Sequence, residues 1–159
     1  MVSIKPKTAA RELVIRPYRD EDFSAVTGLE VAGVHEPYRS AVFVRQMAVL
    51  SPATFLVAVS GTKVAGFTVG AIGEDDPGRA WILRMMVRDG FRHRGVGTAL
   101  LRAVIGALEE RSVRTICLTV APGNTPAIQL YRAEGFVQES FRPDYFGDGE
   151  DRVVMKRTG

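Results

Sequence analysis

One stretch of the chain decides its fold: Met86-Val87-Arg88-Asp89-Gly90-Phe91-Arg92-His93-Arg94-Gly95-Val96-Gly97-Thr98-Ala99-Leu100-Leu101. It continues an apolar run that begins at Trp81, and apolar residues then recur at helical spacing through Leu108. The pattern predicts a strand, a tight loop with glycines and a helix. The first amides of such a helix lack backbone acceptors and the helix dipole adds positive charge, so the loop suits a phosphate. Basic side chains lie at the same point: Arg92, His93 and Arg94.

The spacing of the glycines distinguishes this loop from other phosphate loops. A lone Gly-x-Gly is common in tight turns that bind nothing, and the loop is neither Gly-x-Gly-x-x-Gly nor a Walker loop. The hexapeptide Arg92-His93-Arg94-Gly95-Val96-Gly97 instead resembles the acetyl-coenzyme A (acetyl-CoA) signature Arg/Gln-x-x-Gly-x-Gly/Ala of the GNAT acetyltransferase superfamily. The resemblance implies that this loop binds the diphosphate of acetyl-CoA.

Length and composition indicate a single globular domain. The chain has 159 residues, of which 46% are hydrophobic and 25% charged. No apolar run approaches the roughly 18 residues that a membrane-spanning helix needs. The net charge of +3 suits an anionic cofactor, and the basic residues are too scattered for a nucleic-acid footprint. We therefore expect no nucleic-acid partner and no membrane partner.

Cysteine and histidine are scarce in the chain. The single cysteine, Cys117, lies in an apolar run and is expected to be a core residue rather than a nucleophile. The two histidines argue against a zinc site, so no metal is expected. Residues 1–12 are polar and lack the apolar core of a signal sequence, which predicts a loose tail and a cytoplasmic protein. The folded domain is expected to span residues 13–158.

Periodicity and turn residues divide the domain into strands and helices. Strands are predicted over residues 13–18, 54–60, 63–72, 80–88, 115–121, 136–141 and 152–157. Helices are predicted from an N-cap at Asp20 to residue 31, and over residues 40–50, 95–111 and 124–134. This order predicts a mixed α/β domain, with a parallel pair where a helix joins two buried strands and antiparallel pairs at the hairpins.

The order of the elements resembles the GNAT fold throughout. The resemblance implies a mostly antiparallel sheet of about seven strands flanked by about four helices. It also implies that the parallel strands ending at Val87 and Ala121 splay apart and that the pantetheine arm of acetyl-CoA lies between them.

A second motif, Asn124-x-x-Ala127-x-x-Leu130-Tyr131-x-x-x-Gly135-Phe136, resembles the second GNAT motif residue by residue. Ala127 and Tyr131 share a helix face, so a small residue can admit the cofactor where a phenol is presented. The resemblance implies that Asn124 binds the coenzyme A arm and that Tyr131 protonates the leaving thiolate. Each residue also has a simpler explanation, Asn124 as an N-cap and Tyr131 as a core aromatic.

The resemblance assigns a set of cofactor-binding residues. Backbone amides of the loop would bind the diphosphate, the N–H and C=O groups of Met86 and Arg88 would hold the pantetheine, and the Val87 amide would be the oxyanion donor. The predicted set is Met86, Val87, Arg88, Arg92, His93, Arg94, Gly95, Val96, Gly97, Thr98, Asn124, Ala127 and Tyr131.

The C-terminal segment from Arg142 to Met155 resembles a narrower group within the superfamily. It is similar to the Arg-x-x-Tyr-Tyr…Gly-x-Glu-Asp-Ala-x-x-Met ending of ribosomal-protein-alanine and related protein N-terminal acetyltransferases. In that group the aromatic pair covers the N-terminal residues of the substrate. Here the pair is Tyr145 and Phe146, and Arg152 replaces the usual alanine.

The position of the expected general base is occupied by Thr119. That group carries glutamate or histidine five residues before the asparagine, and a threonine hydroxyl cannot take the proton at neutral pH. A lysine amine is harder to use without a base than an α-amine, because its higher pKa makes the neutral form costlier by about 3.5 kcal/mol. The sequence therefore favours an α-amine acceptor, and Thr119 is retained only as a doubtful base position.

Further residues lie on the side where the family binds its acceptor. His35 and Glu36, with Glu30 in the first helix, are base candidates for which solvated surface charge is the simpler interpretation. Tyr38 follows them in the same loop. Arg84, unusual in a buried run, either binds an anionic group or reaches solvent. The predicted substrate-binding set is His35, Glu36, Tyr38, Arg84, Tyr145 and Phe146.

The predicted function is acetyl-CoA-dependent acetylation of the N-terminal α-amine of a protein or peptide. Acetylation of a small amine, such as a polyamine, antibiotic or amino acid, is the first alternative. A catalytically weak coenzyme A-binding module is the second, prompted by Thr119, and a nucleic-acid binder, prompted only by basic charge, is the third. The protein is expected to be a monomer or a homodimer.

Overall fold

The computed structural model describes residues 12–159, so the predicted tail falls outside the described residues except for Glu12. The strands are β1 (Leu13–Pro17), β2 (Phe55–Ser60), β3 (Lys63–Ile72), β4 (Arg79–Val87), β5 (Thr115–Val120), β6 (Val137–Arg142) and β7 (Arg152–Thr158). The helices are α1 (Phe23–Val34), α2 (Pro37–Leu50), α3 (Val96–Glu109) and α4 (Thr125–Ala133). Each predicted element is present. α2 begins before residue 40, because Pro37 suits the first turn of a helix.

The strands form one seven-stranded sheet in the order β1-β2-β3-β4-β5-β7-β6. Neighbouring strands are antiparallel except β4 and β5, which are parallel. A parallel pair needs a crossover connection, and α3 supplies it. The predicted mixed α/β class, with a mostly antiparallel sheet and one parallel pair, is confirmed.

The two faces of the sheet carry separate cores. α3 and α4 cover one face, where α3 buries apolar residues at helical spacing: Leu101, Val104, Ile105 and Leu108. α1 and α2 cover the other face with a core that includes Val26, Val44, Phe55, Phe67 and Val69. Among the described residues, β5, β6 and β7 contribute nothing to this second core. The α1/α2 core therefore ends at β4.

The chain enters α1 through a short 3-10 turn, Asp20–Asp22, rather than through the predicted N-cap at Asp20. Asp20 is exposed, whereas the buried Asp22 accepts both arms of the Arg16 guanidinium at 2.7 and 2.9 Å and the Arg19 amide at 2.8 Å. Burial opposes ionisation of Asp22, but these hydrogen bonds outweigh it and hold the pKa of the carboxyl below its usual range. The pair of Arg16 and Asp22 therefore joins β1 to the start of α1.

We expect Asp22→Asn to lower the free energy of unfolding at pH 7 by about 2 kcal/mol, because it removes hydrogen bonds to a charged acceptor. The pKa of the Asp22 carboxyl is lowered in the folded state. The wild type should therefore have a higher free energy of unfolding than the variant above about pH 4, and this difference should disappear as pH falls through the folded-state pKa. Urea unfolding at pH 7 and at pH 2.5 measures both effects. Asp20→Asn is the matched control and should change stability by less than about 0.5 kcal/mol. Equal stability of Asp22→Asn and wild type at pH 7 would contradict this role.

Candidate active site

The centre of the sheet opens where β4 and β5 separate. The two strands pair only from Arg79 to Trp81 on β4 and from Thr115 to Cys117 on β5. On its other edge β4 stays paired with β3, and the register shifts at Leu83, an extra residue that bends the strand. A cleft of about 1090 Å³ lies beside the last residues of β4, between α1, α4 and the start of α3.

The alternation of backbone groups along β4 determines which of them face the gap. The Arg88 N–H donates to Ala65 O at 2.8 Å, and Arg88 O accepts from the Phe91 amide. A Cβ on Gly66 would lie 2.5 Å from Met86 O, so that carbonyl also points toward β3. The prediction that Met86 and Arg88 hold the pantetheine through their backbones is therefore wrong. Because alternate residues face opposite edges, the groups that face the gap are those of Val87 and Met85.

The glycine loop presents free amides at the start of α3. The first intrahelical bond runs from the Ala99 N–H to Gly95 O at 3.0 Å. The amides before Ala99, those of Val96, Gly97 and Thr98, therefore have no carbonyl within the helix. All three residues line the cleft. These amides and the positive end of the helix dipole form a site for an anion.

Different structural features account for the presence of glycine at positions 95 and 97 of the loop. Gly95 has φ of +78°, a left-handed conformation that favours glycine. Gly97 is helical, and a Cβ there would meet only ordinary contacts, 3.5 Å from Leu130 Cδ2 and 3.8 Å from Val87 Cγ2. The backbone conformation therefore favours glycine at 95, where a Cβ would meet no neighbour, whereas neither conformation nor packing demands glycine at 97. Gly97 lines the cleft.

The wall opposite the loop is α1, which the sequence analysis did not assign to the site. Its residues in the cleft are Ser24, Ala25, Gly28, Leu29, Ala32 and Gly33. A Cβ on Gly33 would overlap the terminal methyl of Met86, so this helix packs closely on β4. The small residues recur every three or four positions, which places them on one helix face. That spacing was the signal available in the sequence.

The start of α4 forms the third wall. Asn124 is the N-cap, and its side-chain oxygen accepts a hydrogen bond from the Ala127 amide at 3.3 Å. Asn124 and Ala127 line the cleft together with Pro126 and Leu130, two residues that the sequence analysis did not assign. The predicted cofactor-binding residues all line this cleft except Arg94 and Tyr131. The guanidinium of Arg94 instead lies 5.8 Å from the centre of the Phe91 ring.

Tyr131 follows Leu130, a residue of α4 that lines the cleft, but is not itself among the lining residues. Its ring packs edge-on against Phe136, with 5.9 Å between the ring centroids, at the side of the α3/α4 core. Burial raises the pKa of the phenol above 10.0. Among the described residues its hydroxyl has no hydrogen-bond partner. Tyr131 therefore keeps its proton at neutral pH.

Thr119 lies on β5 past the point where the strands separate. It is half-buried and pairs with Val154 of β7. Its neighbours Leu118 and Val120 belong to the α3/α4 core, so alternation turns Thr119 toward the opposite face. That is the face on which α1 and α2 cover only the strands up to β4.

The other predicted acceptor residues are exposed and lie outside the cleft. His35 has φ of +57° between α1 and α2, and Glu36 and Tyr38 follow it, with Tyr38 80% exposed. The rings of Tyr145 and Phe146 contact each other between β6 and β7, with centroids 4.9 Å apart and a tilt of 51°, and the Arg152 guanidinium lies 4.9 Å from the centre of the Phe146 ring. The structure thus brings most of the cofactor-binding candidates together in the cleft, whereas these acceptor candidates do not line it.

Arg84 and Glu30 form an ion pair that the sequence analysis did not predict. Arg84 Nε donates to Glu30 Oε1 at 3.0 Å, and Glu30 is only 1% exposed. The interpretation of Glu30 as solvated surface charge is wrong, because its position on α1 faces β4 rather than solvent. The alternatives for Arg84, an anion site or solvent, did not include this internal partner.

Residues 12–159 contain neither a metal-binding cluster nor a membrane-spanning helix. In that part of the chain, no group of three or more histidine, cysteine or acidic side chains is arranged to hold a metal ion. Nor does any helix there combine the length and apolarity needed to cross a membrane.

Comparison with known proteins gives the family. Residues 13–136 match the family model described as Acetyltransferase (GNAT) family. An N-alpha-acetyltransferase of Sulfurisphaera tokodaii is 28% identical over 155 residues, 91% of this chain and 92% of the relative. The [ribosomal protein bS18]-alanine N-acetyltransferase of Escherichia coli K12 is 34% identical over 96 residues, 58% of this chain and 63% of the relative.

A solved structure extends the similarity to the fold. The crystal structure of Ard1 from Thermoplasma volcanium superposes with a TM-score of 0.82 at 29% identity, over 92% of this chain and 97% of that one. The family model covers more than half of the chain and spans both the glycine loop and the Asn124 motif. The chain therefore belongs to the GNAT family of acetyltransferases, enzymes that use acetyl-CoA as the acyl donor.

Proposed function

We propose that the protein transfers the acetyl group of acetyl-CoA to the N-terminal α-amine of a protein or peptide. The observation that carries the proposal is the cleft at the divergence of β4 and β5, with the amides of α3 at one end and Thr119 past the point of divergence. Two relatives support the choice of acceptor, since they are named as an N-alpha-acetyltransferase and a ribosomal-protein-alanine N-acetyltransferase.

The residues of the cleft fit acetyl-CoA. The free amides of Val96, Gly97 and Thr98 match a diphosphate, and the space at Gly97 lets it approach the backbone. Bound acetyl-CoA supplies an acetyl group activated as a thioester. In this proposal the gap-facing amide of Val87 donates a hydrogen bond to the thioester carbonyl, and Asn124 contacts the coenzyme A arm.

Two features of the chain suit an amine that arrives neutral. Thr119 provides neither a carboxylate nor an imidazole at the expected base position. An α-amine with pKa of about 7.7 to 8.0 is partly neutral at physiological pH without any base. The Tyr131 phenol, whose pKa burial raises, retains the proton that the leaving thiolate needs. These residues together describe direct attack with Tyr131 as the general acid.

The acceptor class is tested by release of coenzyme A from acetyl-CoA with three matched sets of acceptors. We expect turnover with peptides that have a free N-terminus. We expect little or none with the same peptides blocked at the N-terminus but containing lysine, or with polyamines. The physical reason is the cost of neutralising a lysine amine without a base, about 3.5 kcal/mol relative to an α-amine. Turnover confined to lysine peptides or polyamines would overturn the proposed acceptor.

Tyr131→Phe should reduce kcat by about 10- to 1000-fold, because it removes the proton of the general acid. Wild-type kcat/KM should rise with pH as the acceptor α-amine deprotonates near 7.7 to 8.0. It should then remain level to above pH 10, since burial raises the pKa of Tyr131 and the phenol stays protonated. Tyr18→Phe is the matched control, because it removes a phenolic hydroxyl that lies outside the cleft and has no partner in the described residues. Unchanged kcat in Tyr131→Phe would exclude the phenol from proton transfer.

A further inference from the structure

Arg84 has donors that the protein does not use. Its Nε donates to Glu30 Oε1 at 3.0 Å, and one Nη1 hydrogen is donated to Leu83 O at 2.9 Å. The guanidinium lies 4.9 Å from the centre of the Phe43 ring, which supports one of its faces. Its Nη2 has no partner in the described part of the chain, and the side chain remains 40% exposed. The free edge of the guanidinium is therefore fixed and open to solvent.

Glu30 is the residue that fixes this orientation. Its carboxylate is 1% exposed, one oxygen accepts only from Arg84, and the other is buried without a partner among residues 12–159. An ion pair with one buried partner, held through one hydrogen bond, adds little net stability, because desolvation of the carboxylate offsets the attraction. The pair therefore needs a reason other than stability. The geometry of the pair supplies such a reason, because Glu30 holds the Arg84 guanidinium in a defined orientation.

The register of the sheet locates Arg84 relative to the site. Arg84 pairs with Val69 and Met86 pairs with Phe67, and both partners belong to the α1/α2 core. Trp81 pairs with Ala71 of β3 and with Cys117 of β5. Cys117 and Thr119 therefore also face this side. Arg84 thus shares a sheet face with Thr119, across the gap between the diverging strands. It lies about 7 Å along β4 from Met86, which lines the cleft.

We propose that Arg84 selects acceptors that carry a carboxylate in their first two residues, with Glu30 as the positioning residue that aims it. The inference rests on the proposed acetylation of a peptide α-amine and adds the side-chain class of that peptide. A guanidinium with a free edge matches a carboxylate, and a charge-assisted hydrogen bond is stronger than a neutral one. Arg84 lies three residues before Val87, about 10 Å along the strand, a distance that an acidic side chain in the first two residues and the long arginine side chain can span together when the α-amine is at the thioester.

The same arrangement disfavours basic acceptors. Glu30 and Arg84 neutralise each other only in part at the surface, because the carboxylate is buried and the guanidinium is not. A lysine or arginine side chain near the exposed edge would meet a like charge. The predicted order of acceptors is therefore acidic, then neutral, then basic.

The test compares peptides that differ in one group: Asp against Asn at the first residue, and Glu against Gln at the second. For the wild type we expect kcat/KM to be about tenfold higher for the acidic member in at least one of the two pairs, mainly through KM. In Arg84→Gln the ratio should fall to about one, and Arg84→Lys should retain only part of it, since a lysine keeps the charge without the fork. Glu30→Gln should lower the ratio mainly through KM for the acidic peptide, because it removes the charged acceptor that orients Arg84.

Two further variants keep the result interpretable. Arg84→Gln strands a buried carboxylate, so the double variant Glu30→Gln with Arg84→Gln removes both charges and decides the question if the single variant fails to fold. Arg111→Gln is the charge-matched control, because Arg111 is exposed at the far end of α3 and bonds only to Ala107 O. It should preserve the wild-type ratio.

The outcomes separate the two proposals. A ratio near one for both pairs in the wild type, with both peptides acetylated, overturns the role of Arg84 and leaves the proposed function intact. A tenfold ratio that survives in the double variant also overturns it. Absence of turnover with every free N-terminus would instead overturn the proposed function, and the selection of peptides with it.

Discussion

The site depends on a parallel strand pair that ends early. β4 and β5 share only the pairs from Arg79 with Thr115 to Trp81 with Cys117. Backbone groups beyond that point, such as those of Val87, lose the partners that a continuous sheet would provide, and unpaired buried groups are costly. An extended ligand arm that supplies donors and acceptors can replace the missing strand. The incomplete sheet is thus the part of the fold that an extended ligand can complete.

The neighbouring elements are shaped around that gap. α1 presents small residues to it, and a Cβ on Gly33 would overlap the terminal methyl of Met86 unless that side chain moved. α3 begins with amides that lack acceptors, and Asn124 caps the start of α4, which forms the third wall. On the acceptor side the Glu30 and Arg84 pair lies where the α1/α2 core stops. The chemistry is therefore placed at the border between a covered and an uncovered half of one sheet face.

The sequence predicted local features well and long-range pairings poorly. Element order, the glycine loop and the Asn124 motif follow from periodicity and spacing within a few residues, and all are recovered. The pair of Glu30 and Arg84 is 54 residues apart in the chain, and no local pattern predicts such a contact. Asp22 is only six residues from Arg16, but the 3-10 turn before α1 decides that Asp22 rather than Asp20 is buried against it. Which backbone groups of β4 face the gap depends on its register with β3, and this reversed the expectation for Met86 and Arg88.

The central claim is that the cleft at Gly97 binds coenzyme A, and calorimetric titration of coenzyme A measures it most directly. A side chain at 97 would fill space that the protein leaves open, so Gly97→Val should raise the Kd by at least about tenfold with the fold retained. Gly106→Val, on the same helix with open space around its Cβ, should bind as the wild type does. Equal Kd values for all three proteins would contradict the account.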